Sequence, residues 1–299
     1  MVSSMTGNRN FIIYAPSYKE DSGGIIVLHK LCHMLNEMGH KAYLWPDRIG
    51  SRSSIWKLIR NYLKPKKYIT DCDFYTPIAG PSTLNENSVV IYAETVPGNP
   101  LKASKVVRWL LHKPGFHTGV AEYGKGELIF AFDDYCIEPG YGIDAANKLF
   151  VLALNKAYNM DGVEAHRSGA CYMMRKGKGR TLVHDTDDAI LVDGLNHQEM
   201  AEVFKKSKYF YCYDEATLYS QYAALCGCVS VVIPENYESR DDWVESKPSF
   251  KYGVAYGLND FEHAIATQNE VATYFKGLEN QSQATVDSFV NTAQRYFFK

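Results

Sequence analysis

Along the chain, short apolar runs bounded by turn residues alternate with segments in which apolar positions recur every three or four residues, the pattern of a parallel α/β protein. Phe11-Ile-Ile-Tyr-Ala15 reads as a buried strand stopped by Pro16, and a polar loop follows from Ser17 to Gly24. Apolar residues at Ile26, Leu28, Leu31, Leu35 and Met38 predict a helix from Ile25 to Met38, ended by Gly39-His40 before a strand that begins at Lys41-Ala-Tyr-Leu-Trp45. The chain therefore opens with a right-handed βαβ unit. Further strands are predicted at Ser88 to Ala93, Gly119 to Ala121, Glu127 to Phe132 and Lys148 to Leu154, with a helix over Ala103 to His112. The second half predicts strands at Ala170 to Met174, Thr181 to Val183, Ala189 to Val192, Tyr209 to Tyr213 and Val229 to Ile233. Helices are predicted over Gln198 to Lys206, Thr217 to Cys226, Asp260 to Lys276 and Gln281 to Phe298. No internal repeat or low-complexity tract interrupts this order.

A length of 299 residues exceeds one comfortable hydrophobic core and suits two. The expected division is residues 1–150, residues 151–280 and a terminal helix over 281–299. A net charge of −2 gives no global attraction to nucleic acid, so a polyanion would need a local patch. The seven cysteines are odd in number, form no Cys-x-x-Cys, and fall mostly in apolar segments; Cys226 and Cys228 lack a second pair at zinc-site spacing. They read as reduced core residues of a cytosolic protein. No signal-peptide pattern and no apolar run approaching membrane-spanning length is seen.

Candidate chemistry gathers at strand ends. Gly23-Gly24 precedes a helix, as in a loop whose backbone approaches a phosphate or sugar, or in a plain turn. Arg175-Lys-Gly-Lys-Gly-Arg180 follows a predicted strand, where its cations could meet a diphosphate or form a solvated basic turn. Tyr213 ends another strand, and Asp214, Glu215 and Thr217 stand at the expected helix start, where a carboxylate can accept from sugar hydroxyls, cap the helix, or both. Glu94 ends a strand before the turn Pro97-Gly-Asn-Pro100 and is a candidate general base or acceptor ligand; His117, Asp133 and Asp134 are alternative bases. Asp185-Thr-Asp-Asp188 contains the Asp-x-Asp spacing of a divalent-cation site but reads as a loop before the strand at Ala189.

The segment from Tyr211 to Pro234 joins a strand, an acidic turn, a helix ending Ala-Ala-Leu-Cys-Gly227 and a Val-rich strand. It resembles the donor-sugar segment of GT-B nucleotide-sugar glycosyltransferases, particularly the family 4-like bacterial polysaccharide enzymes. The Gly-Gly loop, helix and Gly-His turn near the start, and Glu94-x-x-x-Gly-Asn-Pro-Leu101, are similar to features of the same group. The resemblance implies two Rossmann-like α/β domains facing a cleft, with the acceptor on the first, the nucleotide sugar on the second, and a terminal helix returning to the first. It implies that Arg175, Lys176 and Lys178 stabilise the departing diphosphate without a metal or other cofactor. Gly23, Gly24, Tyr213, Asp214, Glu215 and Thr217 would bind the donor, Glu94 would be catalytic, and Asn99 and His117 would meet the acceptor. Family members carry a ribose-contacting Glu later on the second-domain helix, where Gln221 and Tyr222 stand here. The implied activity is transfer of a sugar from a nucleotide-diphosphate donor to a saccharide or lipid-linked acceptor in bacterial surface polysaccharide synthesis. A nucleotide-sugar 2-epimerase and a non-catalytic saccharide-binding protein are the rival readings.

Two basic stretches with interleaved aromatics, residues 48–67 and 102–113, have the composition of interfacial helices that meet anionic lipid head groups, or of ordinary amphipathic surface helices. They suggest a cytoplasmic protein peripheral to the inner face of a membrane. Some phage GT-B enzymes glucosylate DNA, but the net charge argues against nucleic acid as a partner.

Overall fold

The computed structural model describes residues 9–47, 67–139, 146–185 and 187–298. The chain divides into two compact units, Met1–Ala153 with Glu279–Lys299, and Leu154–Leu278. Each is built on a parallel sheet of Rossmann-like character.

The first sheet has the order β2-β1-β3-β4-β5-β6, from β1 (Asn10–Ala15), β2 (Lys41–Pro46), β3 (Ser88–Ala93), β4 (Val106–Leu110), β5 (Leu128–Ala131) and β6 (Asn147–Lys148). All its pairings are parallel. Every residue of β1, β3 and β4 is buried, as a sheet covered on both faces requires. One face packs Phe11, Ile13, Val107 and Trp109 against Leu28, Leu31 and Leu35 of α1 (Gly23–Glu37) and against Val286, Phe289 and Ala293 of the long C-terminal helix. Ile12, Tyr14, Val90 and Tyr92 fill the other face.

The second sheet runs β11-β10-β9-β7-β8, from β7 (Ser168–Met173), β8 (Ile190–Leu191), β9 (Ser207–Cys212), β10 (Val229–Val232) and β11 (Val254–Tyr256), again all parallel. Its helices are α2 (His197–Lys206), α3 (Tyr219–Leu225), α4 (Arg240–Ser246) and α5 (Phe261–Thr267); α6 (Glu270–Phe297) then closes the chain. Asn196 and Glu199 form a reciprocal capping box at the start of α2. In the first sheet the strand order reverses between β1 and β3, and in the second between β7 and β9. Such reversals open a crevice at the carboxyl ends of the strands.

Several expectations are corrected. Residues 103–112 are not helical: they hold β4, with Arg108, Trp109 and Leu110 closed off from solvent. The Arg108 charge that suggested a surface is neutralised internally by Glu127, and Trp109 Nε1 donates to Leu149 O at 3.0 Å. The 102–113 stretch therefore cannot serve as a basic membrane-facing helix. The companion stretch, 48–67, lies outside the described residues except for Lys67. Gly119–Ala121 and Thr181–Val183 are loops, and the strand expected from Lys148 pairs only at β6. The two helices expected after Asp260 are instead a short α5 and an uninterrupted α6, because Gly277 is tolerated within the helix at a cost of about 1 kcal/mol. Helix α4 and strand β11 lie between Ile233 and Asp260, where the hydrophobic pattern predicts no element. The seven cysteines are unpaired and all but Cys72 are buried. Among the described residues no helix is long and apolar enough to cross a membrane.

Candidate functional site

At the reversal point of the first sheet, beyond the ends of β1 and β3, lies a cavity of about 310 Å³ bordered by Tyr14, Gly24, Glu94, Leu111, His112 and His117. Glu94 follows β3 directly and is only 5% exposed. Its Oε2 accepts the Leu111 amide at 3.0 Å, and its carbonyl accepts the Tyr123 hydroxyl at 3.1 Å. The turn beyond it is tied down by Arg108, whose guanidinium donates to the carbonyls of Ala93, Val96 and Gly98. Burial pushes the Glu94 carboxyl above its ordinary range, against backbone hydrogen bonds and the nearby Arg108 charge. Burial and the neighbouring His117 and Lys113 lower the pKa of His112, so its ring is neutral near pH 7. A carboxylate of raised pKa beside a neutral imidazole can take a proton from a hydroxyl.

The N-terminus of α1 also borders this cavity through Ser22, Gly24 and Ile25. Ser22 makes no side-chain cap and the first turn carries no acid, so the helix end keeps its positive potential. Neither glycine is required sterically: a Cβ on Gly23 meets nothing, and one on Gly24 makes an ordinary 3.7 Å contact with Leu111. Asn99 is absorbed by its own turn, accepting from Tyr92 Oη and Ala103 N at 3.0 Å each and donating to Ala103 O. Asp133 accepts the Cys136 thiol, and neither it nor Asp134 borders the cavity.

The reversal point of the second sheet is flanked by the turn after β7 and the segment after β9. Asp193 clamps the first of these, accepting Met174 N at 2.7 Å and Arg175 N at 2.8 Å. Gly177 lies directly against the Tyr213 backbone, leaving no room for a Cβ. Arg175 has a left-handed φ of 40°, lies 3.7 Å from Asp214 Oδ2 through Nε, and is 5.3 Å over the Tyr219 ring. Lys176 and Lys178 are exposed. Arg180 instead reaches back to the carbonyls of Tyr213, Ile233 and Pro234, tying the run to β9 and β10.

Asp214 and Glu215 do not open the helix, because α3 starts at Tyr219. Asp214 closes a tight turn by accepting Ala216 N at 3.1 Å. Glu215 accepts from Glu235 N, Asn236 N, Asn236 Nδ2 and Tyr256 Oη. Burial alone would raise its pKa, but these donors hold it below the usual carboxylate range. Thr217 is buried. Tyr213 is buried too, and its hydroxyl accepts Val183 N and bonds His184 Nδ1, each at 2.8 Å. Gln221 and Tyr222 face the core: Gln221 Nε2 donates to Ser249 O, and Tyr222 stacks on Tyr158 at 4.1 Å. Asp185 accepts Asp187 N within its loop, and no group of three His, Cys, Asp or Glu able to hold a metal ion occurs among the described residues.

The structure thus brings Glu94, His117 and Gly24 to one cavity in the first unit. It brings Arg175, Lys176, Lys178 and Asp214 to one sheet edge in the second. Gly23 and Gly24, grouped by the resemblance with the donor, belong to the Glu94 side. Sequence reasoning missed His112, which follows a strand read as a helix, and Asp193, whose role depends on β8 pairing with β7. Comparison of the chain with protein-family models and with curated proteins found no match.

Proposed function

We propose that the protein is a glycosyltransferase of the GT-B kind, moving a sugar from a nucleotide-diphosphate donor bound by the second unit to a hydroxyl of an acceptor bound by the first. The observation that carries the reading is the basic turn Arg175–Lys178, anchored by Asp193 and Gly177 at the carboxyl-edge reversal point of a parallel sheet. Two exposed lysines and an arginine held there suit a group that gains negative charge as it leaves. Asp214 lies beside Arg175 and is suited to a donor hydroxyl. In the first unit Glu94 takes the proton of the acceptor hydroxyl as its oxygen bonds to the anomeric carbon. The bond from that carbon to the phosphate oxygen breaks with its electron pair, and Arg175, Lys176 and Lys178 receive the charge.

The test is thermal unfolding against UDP, GDP, dTDP, CMP and their common sugars, each with and without magnesium. A ligand at 100 times its dissociation constant adds about 2.7 kcal/mol to the folded state. The reading requires a stabilising shift with one base, followed by acceptor-dependent release of the nucleoside diphosphate. No shift with any nucleotide overturns it.

A further inference from the structure

Next to the Glu94 cavity, aromatic rings gather on the side chain of His112. Phe116 lies 4.1 Å from it, His117 4.9 Å and Tyr135 5.5 Å between ring centroids, and Phe116 meets His117 edge-on at 5.0 Å. Phe116 and Tyr135 are 65% and 58% exposed, and Phe116 is the most exposed large hydrophobic side chain among the described residues. The backbone that carries both is nonetheless held in hydrogen-bonded turns. Phe116 N donates to Lys113 O, Gly119 N closes the following turn onto Gly115 O at 2.7 Å, and Tyr135 sits in a short 3-10 turn after β5. Exposed aromatic rings carried on hydrogen-bonded turns beside a cavity suit a recognition surface.

The electrostatics narrow the occupant. Lys113 lies 5.0 Å over the Tyr135 ring, but its charge is taken by Glu138 at 3.0 Å. His112 is neutral near pH 7. The cavity itself holds the buried Glu94 carboxyl, which repels an anion when ionised. A phosphorylated head group would meet that carboxylate with only the partial positive charge of the α1 N-terminus and a Lys113 already paired to Glu138 to offset it. A bare acyl chain would strand the polar atoms of His112, His117 and Glu94. An uncharged sugar ring fits both demands, since its C–H face packs on aromatic rings while its edge carries hydroxyls for the imidazoles and the carboxylate.

We infer that Phe116 and Tyr135, bridged by His112, form a platform for an uncharged pyranose ring of the acceptor, whose reacting hydroxyl enters the cavity toward Glu94. This rests on the transferase reading of the cavity and narrows its acceptor to a neutral saccharide terminus.

The test uses the full chain, with short neutral gluco-, galacto-, manno- and rhamno-oligosaccharides as probes in saturation-transfer NMR and calorimetric titration. At least one series is expected to bind, with saturation transferred to ring C–H protons. Phe116→Ala and Tyr135→Ala are expected to weaken that binding about tenfold each, while Phe116→Trp retains it. Both side chains are exposed, so a melting temperature equal to wild type checks that the variants fold. Binding of no neutral oligosaccharide, binding unchanged in both alanine variants, or binding of phosphatidylglycerol vesicles in place of oligosaccharides overturns the platform. A separate titration of the wild-type chain with UDP, GDP and dTDP keeps the two readings apart: failure of every nucleotide removes the transferase reading, whereas the glycan arms alone decide the platform.

Discussion

Arg108 and Glu127 form a two-pronged ion pair within the first unit, Nε to Oε2 at 2.8 Å and Nη2 to Oε1 at 3.0 Å, with the arginine side chain wholly buried and the glutamate 5% exposed. The guanidinium also lies 4.7 Å from the Tyr123 ring and 5.2 Å from that of Tyr92. Its remaining donors hold the carbonyls on either side of Glu94, so the pair sets the position of the cavity's carboxylate.

Glu127→Gln therefore leaves a buried guanidinium without its counter-charge. The expected loss is about 3–5 kcal/mol of stability in the first unit, read as an earlier urea-unfolding transition. A change under 1 kcal/mol would mean that water or another acid reaches Arg108.

Glu94→Gln is expected to lower the proposed transfer about 10²-fold or more, because the amide cannot accept the hydroxyl proton. Its stability moves the other way. The folded-state pKa of Glu94 lies above the unfolded value, so ionisation opposes folding, and the wild type loses stability as pH rises from the unfolded pKa through the folded one. The variant escapes that loss and should melt higher than wild type at pH 7 but not at pH 4. The wild-type rate should fall on the acid side at a pH above the ordinary carboxylate range. A variant with full activity removes Glu94 from the chemistry.

How much of this was legible follows from where each residue finds its partners. Ser88–Ala93 and Val229–Val232 are short, mainly apolar and β-branched runs bounded by turn residues, so the strands and the charged positions beyond them could be read directly. Strand β4 hid because Lys105 and Arg108 look like the polar face of a helix, and Glu127, which neutralises Arg108, is 19 residues away. Glu215 and Arg180 looked like ligand-binding charges for a related reason. The groups that occupy them, Asn236 and Tyr256 for the acid and the carbonyls of Ile233 and Pro234 for the cation, arrive only through packing of β10, the turn after it and β11.

His29 gives the fold a dependence on mild acid. It is fully buried, its Nε2 donates to Pro16 O at 2.9 Å, and it stacks against Tyr68 at 6.1 Å. Burial holds its pKa below the ordinary 6.5, although the Pro16 bond and the Asp71 charge pull upward. With a folded pKa below the unfolded one, its contribution is intact above about pH 6.5 and is lost as pH falls through and below that value. Melting curves of the wild type and His29→Gln should diverge in the variant's favour as pH drops from 7 to 5. Parallel curves would assign the acid sensitivity elsewhere.

Lys178 and Arg180 are two residues apart and should fail differently. Lys178→Ala removes an exposed cation and is expected to cut the proposed turnover about 10²-fold or more with an unchanged melting temperature. Arg180→Ala removes the donor to three carbonyls and the partner of Glu235 at 3.5 Å, and is expected to cost about 1–3 kcal/mol of stability. Equal behaviour of the two variants in both assays would contradict this division of roles.

Gly177 carries the closest approach in the basic turn. A Cβ there would collide with the Tyr213 carbonyl oxygen and stand 2.7 Å from the Tyr213 Cβ, and both partners are fixed by the β9 backbone rather than being the ends of flexible side chains. Gly177→Ala must therefore push the Arg175–Lys178 turn off the end of β9. The expected cost is about 1–3 kcal/mol, the usual range for overpacking a fixed site, together with loss of the nucleotide-induced thermal shift. Lys176→Ala, at an exposed position in the same turn, separates the two effects by weakening nucleotide binding without lowering the melting temperature of the unliganded chain. If Gly177→Ala were destabilised yet bound nucleotide as tightly as wild type, the turn would be structural and the donor phosphates would have to be held elsewhere.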